Sequence, residues 1–366
     1  MKKILVVGQT PPPYGGQAVI IQAMLNASYQ HIKMYHVRMC FSKDFNDRGN
    51  FSIRKVLHLL SIVIKIWLIR FKCGPKILYY PLSSAPKIAL LRDTIILGCT
   101  RFLFKDVVFH FHAAGVSEEL PKYPRLLRNI VYGIISKPTL GITSSEYNPQ
   151  DAKYLKACHS IVFPLGIHDS NPYESRNFNE GNRPLTVMFM GLLNGTKGES
   201  YVLDAVYKLN QSGRNVRYLL AGKYESEKYK TNFESKIAKY GLKEKVLYQG
   251  VVTGKEKEKI FMDSDVFCFP SFFSSESFGI VLLEAMMYQM PVIATRWRGI
   301  QSVVDDGING FLVDIKNADQ ISVALAKLYD DRTLLREMGM ASRELFKEKY
   351  IEQIYIQNIE NALCNL

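Results

Sequence analysis

Residues 266–295 contain Val266-Phe267-Cys268-Phe269-Pro270-Ser271, then Glu276-Ser277-Phe278-Gly279-Ile280-Val281-Leu282-Leu283-Glu284-Ala285-Met286, then Met290-Pro291-Val292-Ile293-Ala294-Thr295. The first block is a short apolar run stopped by Pro270. The second has the length and apolar content of a buried helix, and the third is a β-rich run opened by a proline. Strand, helix and strand in this order form a βαβ unit, which implies a parallel sheet covered by helices.

The pattern extends in both directions from this unit. Strands are expected at 186–190, 216–221, 246–250, 266–270, 292–295 and 310–313, with helices starting at Glu199, Glu225, Glu256, Phe278 and Asp319. Nearer the start, Lys3-Ile4-Leu5-Val6-Val7-Gly8 reads as a strand, followed by a Pro/Gly loop and a helical pattern over 18–25. Further strands are expected at 77–80, 107–112, 140–143 and 161–164, alternating with helical stretches. Residues 169–184 are polar and aperiodic, as in a linker. With 366 residues, 47% of them hydrophobic, there is enough apolar material for two cores, which excludes a disordered chain. The expected fold is α/β, with two Rossmann-like domains at 1–169 and 170–345 and a terminal helix at 346–366. Ligands of such sheets bind beyond the carboxyl ends of the strands, so the site is expected in a cleft between the two domains.

Glu276 falls in the loop before the helix expected at Phe278, and Glu284 lies inside that helix. The unpaired amides of a helix start favour a phosphate, whereas carboxylates beside them suit hydroxyl groups. Two glutamates eight apart are a weak signal alone and gain weight from the Phe-Pro-Ser and Pro-Val-Ile-Ala-Thr blocks around them. In this context the sequence resembles retaining glycosyltransferases of family 4, which have the GT-B fold. The resemblance runs from Gly191 through Lys197-Gly198, Ala221-Gly222, Gly250 and 265–271 to the two-glutamate block, then through 291–295 and 299–304 to Asp306-Gly307-Ile308-Asn309-Gly310-Phe311-Leu312-Val313.

The resemblance implies a nucleotide-sugar donor, UDP-linked by family habit and GDP-linked next. Glu276 would hold donor-sugar hydroxyls and Glu284 the ribose. The amides of Phe278, Gly279 and Ile280, with Gly191, Gly222 and Ser271 nearby, would form the donor site. Lys197 would neutralise the leaving diphosphate, so no metal ion or other cofactor is expected. His112, at the end of Val107-Val108-Phe109-His110-Phe111-His112, matches the family's histidine, and His110 is read as a packed one. Gly15 and Gly16 match the family's first loop. One departure is Leu192, where the family usually places an arginine. Another is Pro164-Leu165-Gly166-Ile167-His168, where family members commonly show Asn before the glycine and Asp near the end. The resemblance also implies that residues 350–363 form a helix crossing back to the first domain.

Charge is distributed unevenly. Residues 1–169 carry 22 Lys/Arg against 9 Asp/Glu and the remainder 25 against 25, so the whole excess of +13 lies in the first half. This points the first domain toward a lipid-linked or other anionic glycan acceptor and an anionic membrane surface, with no nucleic acid as partner. Residues 56–71 are apolar but too short and too interrupted to span a bilayer. On a helix Arg54, His58, Ser61, Lys65 and Lys72 share a stripe, which suits a helix lying on headgroups as well as an ordinary packing helix. Six cysteines without C-x-x-C spacing, and no signal peptide before Met1, read as reduced thiols of a cytoplasmic protein at the inner membrane face.

Two look-alikes are set aside. Asp263-Ser264-Asp265 precedes its strand, unlike a metal-binding D-x-D, and 191–198 lacks the Gly-Lys-Ser/Thr ending of a phosphate loop. The expected activity is therefore glycosyl transfer in surface polysaccharide assembly. The alternatives are a sugar-nucleotide epimerase of the same fold and a non-catalytic partner subunit, the latter motivated by Leu192.

Overall fold

The computed structural model describes residues 1–41, 53–84, 87–171 and 183–366. The chain divides into two units, Met1–His168 with Glu352–Leu366, and Asp169–Ile351. Residue 346, where the sequence reading starts the terminal helix, lies inside the helix Arg332–Lys349. Phe346 is fully buried in the second unit, so that helix continues to Lys349 and the returning segment starts at Glu352.

In the first unit the strands are β1 (Lys2–Gly8), β2 (Ile32–Arg38), β3 (Ile77–Tyr80), β4 (Asp106–His110), β5 (Leu140–Thr143) and β6 (His159–Val162), all parallel in the order β2-β1-β3-β4-β5-β6. The interior strands β1, β3, β4 and β5 are short and almost wholly buried, as strands covered on both faces must be. The sequence gives no warning of β2. As an edge strand paired only with β1, it keeps only Ile32 and Val37 buried, and Lys33, His36 and Arg38 interrupt its apolar run. The other edge strand, β6, starts two residues earlier than expected for the same reason, since none of its residues is buried. The strand expected at 107–112 ends at His110, leaving His112 beyond it.

In the second unit the strands are β7 (Leu185–Met190), β8 (Val216–Ala221), β9 (Val246–Tyr248), β10 (Val266–Phe269), β11 (Val292–Thr295) and β12 (Gly310–Val313), parallel in the order β12-β11-β10-β7-β8-β9. Helices Glu199–Gln211, Glu227–Lys239, Gly254–Met262, Ile280–Met287 and Ala318–Asp330 link or follow them. Ile280–Met287 starts two residues later than the Phe278 read from sequence. Gly279 sits at φ +80° and cannot continue a right-handed turn, and Phe278 is buried with its ring edge-on to Tyr350 at 5.9 Å. The expected D-x-D look-alike has a structural role here. Asp265 is buried, binds both guanidinium nitrogens of Arg183 and accepts from the Thr186 amide at 2.8 Å, while Asp263 caps the end of Gly254–Met262.

Candidate functional site

In the second sheet the chain builds β7, moves outward to β8 and β9, and returns to place β10 on the other side of β7. The loops leaving β7 and β10 therefore diverge at a topological switch point, where open parallel sheets offer a crevice to ligands. The β7 loop is held in shape by its own side chains. Asn194 Oδ1 accepts from the Thr196 amide at 3.2 Å, the Thr196 hydroxyl at 2.9 Å and the Lys197 amide at 3.2 Å. Glu199 Oε1 accepts from the Gly195 amide and the Tyr229 hydroxyl, each at 2.6 Å. Burial raises the Glu199 pKa, and these hydrogen bonds pull it back.

The two loops touch at Gly198. Its φ is +89°, and a Cβ there would lie 2.2 Å from the carbonyl oxygen of Pro270, so a side chain would force the loops apart. The Phe272 amide donates to the Thr196 carbonyl at 2.8 Å across the same junction. Held in this way, Lys197 extends its ammonium to 2.5 Å from Glu276 Oε2 and over the ring of Phe273, 4.5 Å from its centroid. The Ser271 hydroxyl donates to the same carboxylate oxygen at 3.3 Å. The Lys197 and Glu276 side chains are only 16% and 12% exposed, so their attraction is poorly screened.

Next to this pair the helix Ile280–Met287 begins with no side-chain cap at Gly279. A helix start leaves its first amides without intrahelical carbonyl partners, and they favour an anion. With its ring in the core, Phe278 can offer only its backbone to such a ligand. Glu284, one turn into the helix, is engaged by Lys257 of Gly254–Met262 at 2.6 Å. Gly222, at the end of β8, has φ +136°, and a Cβ there would lie 1.8 Å from the Gly191 carbonyl oxygen. The ends of β7 and β8 thus pack backbone to backbone. On the opposite side, the Thr295 hydroxyl donates to the Ser271 carbonyl, tying the end of β11 to the β10 loop.

The structure therefore brings Lys197, Ser271 and Glu276 into contact, with Gly191, Gly222, Gly279 and Ile280 at the same sheet edge and Glu284 on the following helix. Lys257 was not singled out from the sequence, because Gly254-Lys255-Glu256-Lys257-Glu258-Lys259 reads as a solvated helix face.

The remaining sequence-derived residues belong to the first unit. Gly16 is the first residue of the helix Gly16–Asn26 rather than part of the loop, and Gly15 is its N-cap, with nothing within 4 Å of where a Cβ would sit. His110 is fully buried and His112 lies just past the strand, the two rings stacked with centroids 3.9 Å apart. The Tyr79 hydroxyl is 2.5 Å from His110 Nδ1 and 3.5 Å from His112 Nε2. Burial lowers the pKa of His112 to about 3. Burial, reinforced by His112, pushes that of His110 well below its usual value. Both imidazoles are therefore neutral at pH 7.

Residues 172–345 match the model of the family described as Glycosyl transferases group 1. An uncharacterized 41.2 kDa protein in the cps region of Klebsiella pneumoniae is 29% identical over 262 residues, 67% of this chain and 66% of that one. The alpha-D-kanosaminyltransferase of Streptomyces kanamyceticus is 26% identical over 169 residues, 46% of this chain and 42% of that one. The chain spans 36% to 66% of the length of these and another curated relative that it matches. Among solved structures, sucrose-phosphate synthase of Thermosynechococcus elongatus superposes with a TM-score of 0.76 at 18% identity, over 100% of this chain and 99% of that one. Anabaena HepE in complex with UDP-glucose superposes with a TM-score of 0.71 at 17% identity, over the full length of both chains. The fold shared with these structures is GT-B, two Rossmann-like α/β domains in one chain.

Proposed function

We propose that this chain is a retaining glycosyltransferase using a nucleotide-sugar donor, a reading supported by the match of residues 172–345 to the Glycosyl transferases group 1 model. UDP-sugars are favoured and GDP-sugars come next. The acceptor is a lipid-linked or other anionic glycan handled by the basic first unit at the inner face of the membrane, in the assembly of a bacterial surface polysaccharide. The observation that carries the reading is the Lys197–Glu276 contact at the switch point of the second sheet, beside a helix start.

The chemistry follows from that contact. Lys197 and Glu276 neutralise one another in this structure, and a donor offers each of them a replacement. A diphosphate oxygen takes the ammonium while sugar hydroxyls donate to the carboxylate, so neither charge is left bare. The amides of Gly279 and Ile280 add fixed donors to the diphosphate. As the glycosidic bond to phosphate breaks, negative charge builds on the leaving diphosphate, and Lys197 with the helix start stabilises it without a metal ion. Glu284 receives the ribose hydroxyls, exchanging Lys257 for them. Lys257 is then released next to the diphosphate's helix, where a cation can take over part of the role that family members give to the arginine replaced here by Leu192. A relative encoded in a cps region and a fold shared with a UDP-glucose complex support the setting and the donor class.

The test is a transfer assay with UDP-sugars and a polyprenyl-diphosphate-linked acceptor in the presence of EDTA, with the product's anomeric configuration read by NMR. The expected outcome is turnover with retention. Lys197→Ala and Glu276→Gln should each lower kcat by about 10²- to 10³-fold, the scale for loss of a transition-state electrostatic contact. Inversion, dependence on a divalent metal, or unchanged kcat in both variants contradicts the reading.

A further inference from the structure

The helices Ile53–Cys73, Lys87–Thr100 and Arg125–Ile135 connect β2 to β3, β3 to β4 and β4 to β5. All three crossovers run in the same direction along the sheet, so right-handed connection places them in one layer on one face. The inner side of that layer is ordinary core, where Ile62, Ile66, Leu90, Ile96, Leu97 and Val131 are buried. Its outer side is not an ordinary protein surface. Leu57, Leu60, Ile64, Leu68 and Phe71 are each more than half exposed and, at 3.6 residues per turn, form one stripe opposite Ile62 and Ile66. The stripe continues onto the next two helices through Ile88, Ile95, Leu126 and Ile130, also more than half exposed. Trp67 bridges the first two helices, its ring 5.8 Å from both Phe71 and the exposed Phe102, and its indole N–H donates to the Cys99 carbonyl at 3.0 Å.

Exposed charge on these three helices has one sign. Arg54, Lys65 and Lys72 are exposed along one edge of the stripe, and Lys87 and Arg125 are exposed at the starts of the other helices. The three helices contain a single acidic residue, Asp93, which is buried and bound by Arg92 and the Tyr80 hydroxyl. We propose that the outer face of this layer docks on an anionic lipid bilayer, with Leu60, Ile64 and Phe71 in the acyl region, Trp67 at the interface and the basic edge on the headgroups. This deepens the membrane-side part of the proposed function and rests on it.

The occupant follows from charge and shape. A second copy packed on this face would bring a second set of exposed cations from these helices and no exposed acidic residue from them to pair with either set. A bilayer with anionic headgroups instead offers hydrocarbon and negative charge in one plane. The helices lie in that plane rather than cross it, since no described helix is long and apolar enough to span a membrane. The sequence reading left open which side of Ile53–Cys73 meets lipid. In the structure His58 turns inward, its Nε2 accepting from the Cys40 amide at 3.1 Å, so the basic residues border the lipid face instead of forming a face of their own.

Co-sedimentation with vesicles of phosphatidylcholine, with and without phosphatidylglycerol, tests this on the full chain. Binding is expected only when phosphatidylglycerol is present, and it should weaken with salt. Ile64→Glu, and separately Lys65→Glu with Lys72→Glu, should each lower partitioning by at least about tenfold. Because these positions are exposed, the fold should be unaffected. In the Trp297→Phe variant, emission from Trp67 should shift to shorter wavelength on binding. Wild-type protein remaining in the supernatant, Ile64→Glu binding like wild type, or a dimer that Ile64→Glu converts to monomer overturns the proposal. UDP binding measured on the same variants should be unchanged. Vesicle binding without UDP binding counts against the transferase reading and leaves this one standing.

Discussion

Lys197 and Glu276 gain their meaning from what fixes them. The ammonium comes from a loop shaped by Asn194 and Glu199, the carboxylate from a loop pinned by Thr295, and Gly198 lets the two loops meet. Both residues were singled out in the sequence by the resemblance that their blocks carry, not by spacing alone. Lys257 was not, since a lysine in a charged helix declares no partner until folding sets it 2.6 Å from Glu284. The histidines make a prediction of their own. His110 and His112 are held neutral by burial, with folded-state pKa values below that of a free imidazole. Their contribution to stability is therefore complete above about pH 6.5 and declines as pH falls toward the folded values, because the unfolded chain takes up protons that the fold excludes. Thermal unfolding between pH 6.5 and 5 should lose about 1.4 kcal/mol per pH unit per histidine at the steepest. His112→Gln should flatten that slope, and an unchanged slope would show that His112 does not titrate on unfolding.

At the level of elements, the interior strands could be read before the structure because burial on both faces makes them continuous apolar runs. The edges of the first sheet were the hard part. β2 was missed and β6 misplaced because an edge strand shows solvent much of its surface and loses its pattern. The helix Arg332–Lys349 was also passed over, since its buried face includes Gly339, Ser342 and Arg343 as well as Leu335, Met338 and Phe346 and so shows no continuous apolar stripe. The junctions between elements carry the most demanding geometry. Gly222→Ala would place a methyl group 1.8 Å from the Gly191 carbonyl oxygen in a backbone conformation unfavourable to alanine. It should cost more than about 3 kcal/mol, the upper range for local backbone strain alone. Denaturant unfolding measures this directly, and a loss below about 1 kcal/mol, the minimum for alanine at an incompatible backbone position, would mean that the ends of β7 and β8 are not locked together.

Across the whole molecule, two similar folds carry different surfaces. The first unit holds +12 of the net charge of +13 and the exposed apolar layer, and the second carries +1 and holds the Lys197–Glu276 site. This division was visible in the charge count, but the apolar layer was not, because the sequence could not say which side of Ile53–Cys73 faces the core. The proposed transferase activity requires a nucleotide sugar bound through Lys197 and Glu276. Thermal unfolding in EDTA with a panel of nucleotide sugars tests it most directly, since a ligand at 100 times its dissociation constant adds about 2.7 kcal/mol to stability. A UDP-sugar, or failing that a GDP-sugar, should raise the melting temperature of wild-type protein and have little effect on the Lys197→Ala/Glu276→Gln double variant. No rise with any nucleotide sugar, or the same rise in both proteins, would contradict it.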